Sequence, residues 1–346
     1  MKILLVGYSQ SGKSTLFEWL VGTPPDPAKA HLAQSAMAEV PDDRVDALYR
    51  LYQPKKIVRA SLEIVDTPGL DRNDHEGNAP KLAQVRDAGC LVVVVAARKE
   101  GDPLADPRLL EDDFLLADLS IVTGRIERLH AALKKPRPDH EENRHELALL
   151  QPLARELESG KAMRHLNLSP EQKAAIKSFQ LFSEKPRLVV FNTRDDELRP
   201  ERFMEALATV HGAAPGVAVS LPLQLELAKM PAEERDEFCR EMNVTAADRG
   251  ALLRSIMQTS GQQLFFTASE KEVRSWLIDR GATAVEAAGS IHTDLARGFI
   301  RAEVMRCEDL LRLGSEREVK AHNLLRHEPK DYVVAEGDIV HIRFSV

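Results

Sequence analysis

Short apolar runs alternate with segments of helical apolar spacing along much of this chain. The runs at 2–6, 91–96 and 187–191 have the length and the β-branched content of buried strands, and the segment 57–65 alternates and then turns apolar, which also suits a strand. Helical spacing follows the first run after a short intervening segment, in TLFEWL at 15–20. Strands and helices that alternate in this way are typical of a parallel sheet with helices on both faces. We therefore predict an α/β fold with a mainly parallel, doubly wound sheet.

Two long amphipathic segments, 109–133 and 141–157, interrupt this alternation. Apolar residues recur in them at helical spacing, and charges of both signs cover the other positions. The prolines of 136–138 separate the two segments, which predicts an antiparallel helical hairpin. The hairpin could be a protruding arm that grips a partner or a helical cap packed on the sheet. The pattern leaves both interpretations open.

The composition describes an ordinary globular protein of 346 residues, 43% of them hydrophobic, with a formal net charge of −7. The longest apolar stretch, CLVVVVAA, is far shorter than a membrane span, so we expect no membrane partner. The cysteines are isolated in sequence, which indicates reduced thiols and a cytoplasmic protein without a zinc site. The negative net charge argues against a broad nucleic-acid coat and leaves room for a local basic face.

The first apolar run leads into GYSQSGKST, which fits the pattern G-x-x-x-x-G-K-[ST] between a strand and a helix. Glycines let backbone N–H groups curl around phosphates, and the helix N-terminus adds its positive dipole end. We expect Lys13 to bridge the β- and γ-phosphates of a nucleoside triphosphate and the Ser14 hydroxyl to ligate Mg²⁺. The predicted phosphate-binding residues are Gly7, Ser9, Gln10, Ser11, Gly12, Lys13, Ser14 and Thr15.

A second motif, Asp66-Thr67-Pro68-Gly69, follows the run at 57–65. In this position Asp66 is expected on the Mg²⁺ side, while the Gly69 N–H senses the γ-phosphate, so Lys13 and Gly69 are the candidate catalytic groups. Many GTPases place a glutamine next to orient the attacking water, but this chain has Leu70, which cannot hydrogen-bond water. His75 is a candidate replacement, with an ordinary solvated loop histidine as the alternative. The loop after the first helix has no threonine that is well placed to sense the γ-phosphate.

The run at 187–191 delivers Asn192-Thr193-Arg194-Asp195, where a purine base would be recognised. The Asn192 amide can reach the N7 edge, and the Asp195 carboxylate can accept from guanine N1–H and N2–H₂. Backbone contacts from Ser220 and Leu221 would close the base pocket. This pattern favours GTP over ATP by only ~1–3 kcal/mol. Asp196 and Glu197 follow at once, so a shifted loop could present another acid.

These motifs together resemble the Obg-like ATPase (YchF) family of translation-associated P-loop NTPases. The resemblance is carried by GKSTLF, PKKIV, DTPGL, the tail RGATAVEAAGSIHTDLARGFIRAEV and the ending GDIVHIRFSV. It implies a G domain interrupted by a helical arm, a C-terminal β-grasp domain of the TGS type, ribosome association and slow hydrolysis without a catalytic glutamine. The implied division is 1–108 and 185–261 for the two parts of the G domain, 109–184 for the helical insertion and 262–346 for the TGS-like domain.

The chain departs from the family pattern at its nucleotide site. The family threonine that senses the γ-phosphate aligns near Ala30, and the family commonly has glutamate, associated with ATP, where Asp195 stands. Two functions follow: a monomeric NTPase switch that binds the ribosome or an associated factor, or a module that holds GTP or ATP as a structural or regulatory ligand and hydrolyses little. A small-molecule kinase has the least support, because it would not use the Asp66 and Asn192 motifs.

Overall fold

The computed structural model describes residues 1–97, 101–134, 138–195, 197, 199–210 and 214–345. These fall into two compact units, one formed by Met1–Ala36 and Glu63–Ala247 and the other by Met37–Leu62 and Asp248–Val346. None of the helices within the described ranges is both long and apolar enough to cross a membrane.

Both units contain strands and helices. The strands are β1 (Lys2–Val6), β2 (Gln34–Glu39), β3 (Lys56–Val58), β4 (Ser61–Asp66), β5 (Cys90–Ala96), β6 (Arg187–Asn192), β7 (Gly216–Val219), β8 (Gln262–Ala268), β9 (Glu272–Asp279), β10 (Phe299–Arg306), β11 (Arg326–Glu328) and β12 (Asp338–Phe344). The helices are α1 (Lys13–Val21), α2 (Asp43–Tyr52), α3 (His75–Ala83), α4 (Ala105–Leu133), α5 (His140–Glu158), α6 (Pro170–Ile176), α7 (Glu201–Ala208), α8 (Leu221–Lys229), α9 (Ala232–Glu241), α10 (Arg249–Thr259), α11 (Ala284–Ile291), α12 (Thr293–Arg297), α13 (Cys307–Leu313) and α14 (Glu316–Ala321).

The first unit is built on a six-stranded sheet of order β2-β4-β1-β5-β6-β7. The neighbours from β4 to β7 are all parallel, and Leu4 of β1 lies opposite Val65 and Leu91. Strands covered on both faces need continuous apolar sequence, which is why the β5 run is buried from Cys90 to Val95. The predicted doubly wound α/β fold is confirmed. The carboxyl ends of β1, β4 and β6 carry the three sequence motifs.

The helical insertion has a hydrophobic core of its own. The first part of α4 packs into the core of the sheet through Leu110 and Phe114. Its later turns pack on α5 through residues such as Val122 and Leu129, in a cluster that excludes the sheet. The predicted hairpin therefore forms an arm that continues from a helix rooted on the sheet.

A buried carboxylate on α4 anchors the arm where the chain comes back toward the sheet. Asp118 on α4 is fully buried and accepts hydrogen bonds from the backbone N–H groups of Phe182 and Ser183 at 3.0 and 2.7 Å. Arg86 donates to the same carboxylate at 2.6 Å and lies over the Phe182 ring. A buried charge that is paired and hydrogen-bonded in this way fixes the base of the arm.

The second unit has a six-stranded mixed sheet of order β11-β10-β12-β8-β9-β3. The pairs β8–β9 and β10–β12 are antiparallel, whereas β8 and β12 run parallel at the centre. Helix α11 packs on one face through Ala284 and Ala287, against residues such as Phe265 and Val304. This is the arrangement expected of a β-grasp domain, with α10 and residues 37–62 added to it.

Residues 37–62 differ from the prediction in their placement. The predicted strand 57–65 is two strands, because β3 pairs in parallel with β9 while β4 enters the first sheet. Between them, just beyond the last pair of β3 and β9, the Ala60 N–H donates to the Ser275 hydroxyl at 2.9 Å. Residues 37–62 and the residues from Asp248 onward therefore belong to the same compact unit as the predicted 262–346 domain.

Candidate functional site

The loop between β1 and α1 adopts a conformation that only particular residues allow. Gln10 and Gly12 both have positive φ, +63° and +102°, and Gly12 is the N-cap of α1. A Cβ at Gly12 would lie 2.3 Å from Nδ2 of Asn192, so a larger residue cannot fit. Consecutive N–H groups in such a loop point into one concavity, which is a common anion site.

Lys13 lies over this loop and is almost fully buried. Its Nζ donates to the carbonyl oxygens of Gly7 and Tyr8 at 3.1 and 3.0 Å. Burial lowers the pKa of Lys13 to about 8, against the opposing effect of the nearby Asp66 charge. The ammonium group is therefore held by neutral carbonyls, and an anion in the loop would stabilise its charge.

Ser14 and Asp66 meet at the edge of the loop. The Ser14 hydroxyl donates to Oδ2 of Asp66 at 2.7 Å. Oδ1 of Asp66 is buried without a hydrogen-bond partner among the described residues, and burial raises the pKa of this carboxyl. An unpaired buried carboxylate oxygen beside a hydroxyl is a donor set that fits Mg²⁺.

Mg²⁺ at this place would need further oxygens. Within the described ranges, no cluster of three or more histidine, cysteine, aspartate or glutamate side chains could hold a metal by itself. Phosphate oxygens and water commonly complete the octahedral shell of Mg²⁺ in proteins. The residues therefore fit an ion that arrives with a phosphate ligand.

The Gly69-Leu70 segment lies directly on the phosphate loop. The Leu70 N–H donates to the Gly7 carbonyl at 3.1 Å, and the Ser9 N–H donates to the Leu70 carbonyl at 2.9 Å. A Cβ at Gly69 would lie 2.5 Å from the Ser9 hydroxyl oxygen, so this approach requires glycine. Leu70 is only 2% exposed and packs in the core with Tyr8. The position that holds a catalytic glutamine in many GTPases is thus an interior position in this chain.

Asn192 joins the predicted base-binding loop to the phosphate loop. Its Nδ2 donates to the Ser11 carbonyl at 3.1 Å, and its Oδ1 accepts from the Leu221 N–H at 3.1 Å. Asp195 is exposed and accepts a hydrogen bond from the Ser220 hydroxyl. An open pocket next to them is lined by Ala96, Ala97, Asn192, Thr193, Arg194, Asp195 and Pro222. Asp196, the alternative acid, lies outside the described residues.

The structure thus brings the predicted residues into two connected groups. One group consists of Gly7, Lys13 and Ser14 of the phosphate loop together with Asp66 and Gly69. In the other group, the Asn192 amide links Ser11 to Leu221. Thr15 lies in the first turn of α1, and Thr23 is exposed beyond the end of that helix.

Sequence reasoning missed three side chains at this site. The Tyr8 hydroxyl donates to Asp113 of α4 at 3.1 Å, and Nδ2 of Asn78 donates to the same carboxylate oxygen at 3.1 Å. Tyr8 occupies a variable position of its motif, and 105 residues separate it from Asp113, so no local pattern connects them.

The fold and this arrangement define a P-loop protein with a G domain and a C-terminal β-grasp domain. Residues 2–116 match a family described as "50S ribosome-binding GTPase", and residues 263–345 match the YchF-GTPase C-terminal family, described as "Protein of unknown function (DUF933)". The solved "Structure of the Schizosaccharomyces pombe YchF GTPase" superposes with a TM-score of 0.81, covering 99% of this chain and 97% of that one. At 24% identity this last likeness supports the fold alone.

Two relatives identify the family. "Ribosome-binding ATPase YchF" of Bacillus subtilis (strain 168) is 31% identical over 363 residues, covering 99% of this chain and 98% of the relative. "Obg-like ATPase 1" of Oryza sativa subsp. japonica is 33% identical over 371 residues, covering 100% of this chain and 92% of the relative. The chain therefore belongs to the YchF family of Obg-like ATPases, which confirms the resemblance carried by its motifs.

Proposed function

We propose that this chain binds a purine nucleoside triphosphate with Mg²⁺ and slowly hydrolyses its β–γ phosphoanhydride as a ribosome-associated switch. The observation that carries the proposal is the unpaired buried Oδ1 of Asp66, next to the Ser14 hydroxyl and the phosphate loop. The names of the relatives, "Ribosome-binding ATPase" and "Obg-like ATPase", support the same activity and the ribosome as the partner. We propose a monomer that works in the cytoplasm.

Each loop residue has a role in this proposal. The backbone N–H groups from Ser9 to Thr15 hold the phosphates, and Lys13 exchanges the Gly7 and Tyr8 carbonyls for the β- and γ-phosphates. Ser14 and Asp66 hold Mg²⁺, which when bound neutralises charge on the phosphate oxygens. The Gly69 N–H senses the γ-phosphate, because the backbone hydrogen bonds of Leu70 hold this segment against the phosphate loop.

Hydrolysis is slow in this proposal because Leu70 cannot orient water. The alternative, a module that binds nucleotide and hydrolyses little, rests on the same observation. Phosphate release separates the two functions.

For the base we propose GTP over ATP, by a modest margin. The Ser220 hydroxyl donates to Asp195 and holds its carboxylate at the pocket, where it can accept from the N1–H and N2–H₂ donors of guanine, whereas adenine presents an N1 lone pair. The relatives' names point to ATP, but at about 30% identity they do not fix the side chain at this one position. Competition of GTP and ATP against a fluorescent triphosphate at matched Mg²⁺ tests the choice, and tighter ATP binding would overturn it.

Calorimetry with non-hydrolysable GTP and ATP analogues tests the site itself. We expect Lys13→Ala to weaken binding by about 100-fold, since it removes the charge that faces the β- and γ-phosphates. Asp66→Asn is expected to abolish most of the gain in affinity that Mg²⁺ gives the wild type. Lys161→Ala, an exposed lysine paired with Glu156 on the arm, is the matched control. Unchanged affinity in Lys13→Ala would refute the assignment of the loop.

Ribosome association and oligomeric state need separate measurements. Co-sedimentation with ribosomes in the presence of a triphosphate analogue tests the partner, and light scattering of the free protein tests the monomer. A chain that stays in the supernatant under every nucleotide condition would contradict the ribosome as partner.

A further inference from the structure

A buried carboxylate on the arm helix joins three segments of the nucleotide unit. Asp113 of α4 is 3% exposed, and its Oδ2 accepts from the Tyr8 hydroxyl and from Nδ2 of Asn78. Its Oδ1 lies 2.5 Å from Nδ1 of His75. Because the carboxylate can only accept at this contact, Nδ1 of His75 carries the proton and Nε2 is left for other partners. Asp113 thus touches the phosphate loop and the segment that follows Gly69 at the same time.

A second set of contacts ties the same segment to α4. Nδ2 of Asn78 donates to the Asp71 carbonyl at 2.8 Å, and Oδ1 of Asn78 accepts from the Asp71 N–H at 2.9 Å. Arg72 makes a two-point contact with Asp106 of α4, at 3.0 and 2.6 Å, and lies 4.8 Å from the centre of the Tyr8 ring. Residues 71–78 are therefore held by one face of α4.

The segment that starts at Gly69 is consequently fixed at both ends. Leu70 is paired with Gly7 and Ser9 of the phosphate loop, and five residues later His75 is held by Asp113. Asp113 also accepts a hydrogen bond from Tyr8, the residue between Gly7 and Ser9. Both ends of the segment are therefore tied to the same three consecutive residues of the phosphate loop, one directly and the other through Asp113. A motion of α4 would therefore change the segment and the loop together.

Simple anchoring of the arm does not require this arrangement. Asp118, on the same helix, already fixes the base of the arm through Arg86 and the backbone of Phe182 and Ser183. None of these partners belongs to the phosphate loop or to the segment after Gly69. The two buried carboxylates of α4 thus serve different elements.

We propose that Asp113 is a positioning residue of the nucleotide site, which couples the arm helix to hydrolysis by holding His75, Asn78 and Tyr8 in one arrangement. The inference rests on the proposed hydrolysis and deepens it. Leu70 leaves the alignment of the attacking water to the rest of this segment, and the Asp113 contacts set the geometry of that segment. The rate of hydrolysis then depends on the contact between His75 and Asp113.

The charges around His75 give this contact a pH dependence. Asp113 raises the pKa of His75, mainly through their hydrogen bond, and the charges of Asp112 and Asp74 add to the effect. On the loop side, Asp113 faces the Tyr8 phenol, with the Arg72–Asp106 pair beyond it. The charge-assisted contact is complete below the raised pKa of His75 and weakens as pH rises through it.

Two matched variants of the full chain test the proposal. Asp113→Asn keeps the shape of the side chain but removes its charge and places an N–H₂ group against donors. Asp112→Asn makes the same chemical change at the exposed neighbouring position. We expect Asp113→Asn to lower kcat by about 10- to 100-fold with KM changed less than about threefold, because a misplaced group slows the reacting step more than it weakens binding. The alkaline midpoint of its pH profile should move to lower pH. Asp112→Asn should keep kcat near the wild type and should move the midpoint to lower pH by much less than Asp113→Asn does, because Asp112 acts on His75 through its charge alone.

A double variant separates positioning from general damage to the fold. His75→Gln should lower kcat, and adding it to Asp113→Asn should cause no further loss, because both changes break one contact. Losses that multiply, or an Asp113→Asn variant with wild-type kcat and pH midpoint, would overturn the proposal. Tyr8→Phe removes one donor without adding a group, and a kcat loss there, with an unchanged thermal midpoint, supports the network.

NMR titration of His75 distinguishes failure of this inference from failure of the proposed function. The pKa of His75 should fall in Asp113→Asn even if the wild type releases no phosphate. A saturating triphosphate analogue should shift the His75 resonances in the wild type and shift them much less in Asp113→Asn. A His75 signal that ignores both the nucleotide and the variant would overturn the coupling whatever the hydrolysis assay gives.

Discussion

Replacing Leu70 by glutamine tests whether this position has an interior role. The substitution restores the residue that many GTPases use to orient water, yet the structure predicts no gain in hydrolysis. The backbone of Leu70 is paired on both sides with the phosphate loop, and its side chain packs with Tyr8. A glutamine there would point into the core and away from water.

The magnitude follows from burial. Leu70 is 2% exposed, and withdrawing a leucine side chain from water contributes about 1.5–3 kcal/mol. A glutamine amide in the same place would add an unpaired polar group at a cost of about 1–3 kcal/mol. Together these terms predict that Leu70→Gln lowers the free energy of unfolding by about 2.5–6 kcal/mol. Leu70→Met, the control, keeps the apolar contact and should cost less than about 1.5 kcal/mol.

Urea unfolding, monitored by the fluorescence of Trp19, measures the free energy of unfolding. Trp19 lies on α1 and is 4% exposed. Single-turnover phosphate release at saturating triphosphate measures the rate of hydrolysis. A Leu70→Gln protein of near wild-type stability that hydrolyses tenfold faster would refute the interior placement of this side chain.

Three further predictions concern other parts of the fold. Gly12→Ala should abolish triphosphate binding, because its Cβ would meet Nδ2 of Asn192, whereas Gly22→Ala, also at positive φ but with no atom within 4 Å, should bind normally in calorimetry. Glu146→Gln should lower the thermal midpoint of the arm at pH 7 by the equivalent of about 0.5–1 kcal/mol through loss of its two-point contact with Arg125. Since the pair lowers the pKa of Glu146, this stability is present above the unfolded pKa of about 4.5 and is lost as pH falls through the lower folded pKa. The difference from wild type should therefore shrink as pH falls below about 4.5, with the exposed Glu127→Gln as control. Leu48→Ala, at a fully buried position of α2, should destabilise the second unit by about 2–5 kcal/mol in urea unfolding followed through Trp276, and Tyr49→Ala, 46% exposed, by less than about 1 kcal/mol.

Features encoded by contiguous residues were predictable from the sequence. The phosphate loop, Asp66 to Gly69 and Asn192 to Asp195 each follow a strand directly, so the parallel sheet brings them to one edge. The hairpin was predictable for the same reason, since helical spacing and prolines mark it locally.

Features that depend on distant pairing were not predictable in this way. β3 has three residues, and only its pairing with β9, more than two hundred positions later, removes it from the first sheet. The strand-like alternation of residues 57–65 does not reveal that the two ends of this segment belong to different sheets. Likewise, His75 was a candidate by position, but its partner Asp113 lies within an amphipathic helix where an aspartate ordinarily faces solvent.

Phosphate release from GTP and ATP by the full chain, with and without ribosomes, tests the central claim most directly. The wild type should release phosphate slowly alone and faster with ribosomes, and Lys13→Ala should reduce both rates by about 100-fold or more. Tight triphosphate binding with no release under either condition would contradict the account and leave a nucleotide-holding module as the function. Release that survives Lys13→Ala would contradict it as well.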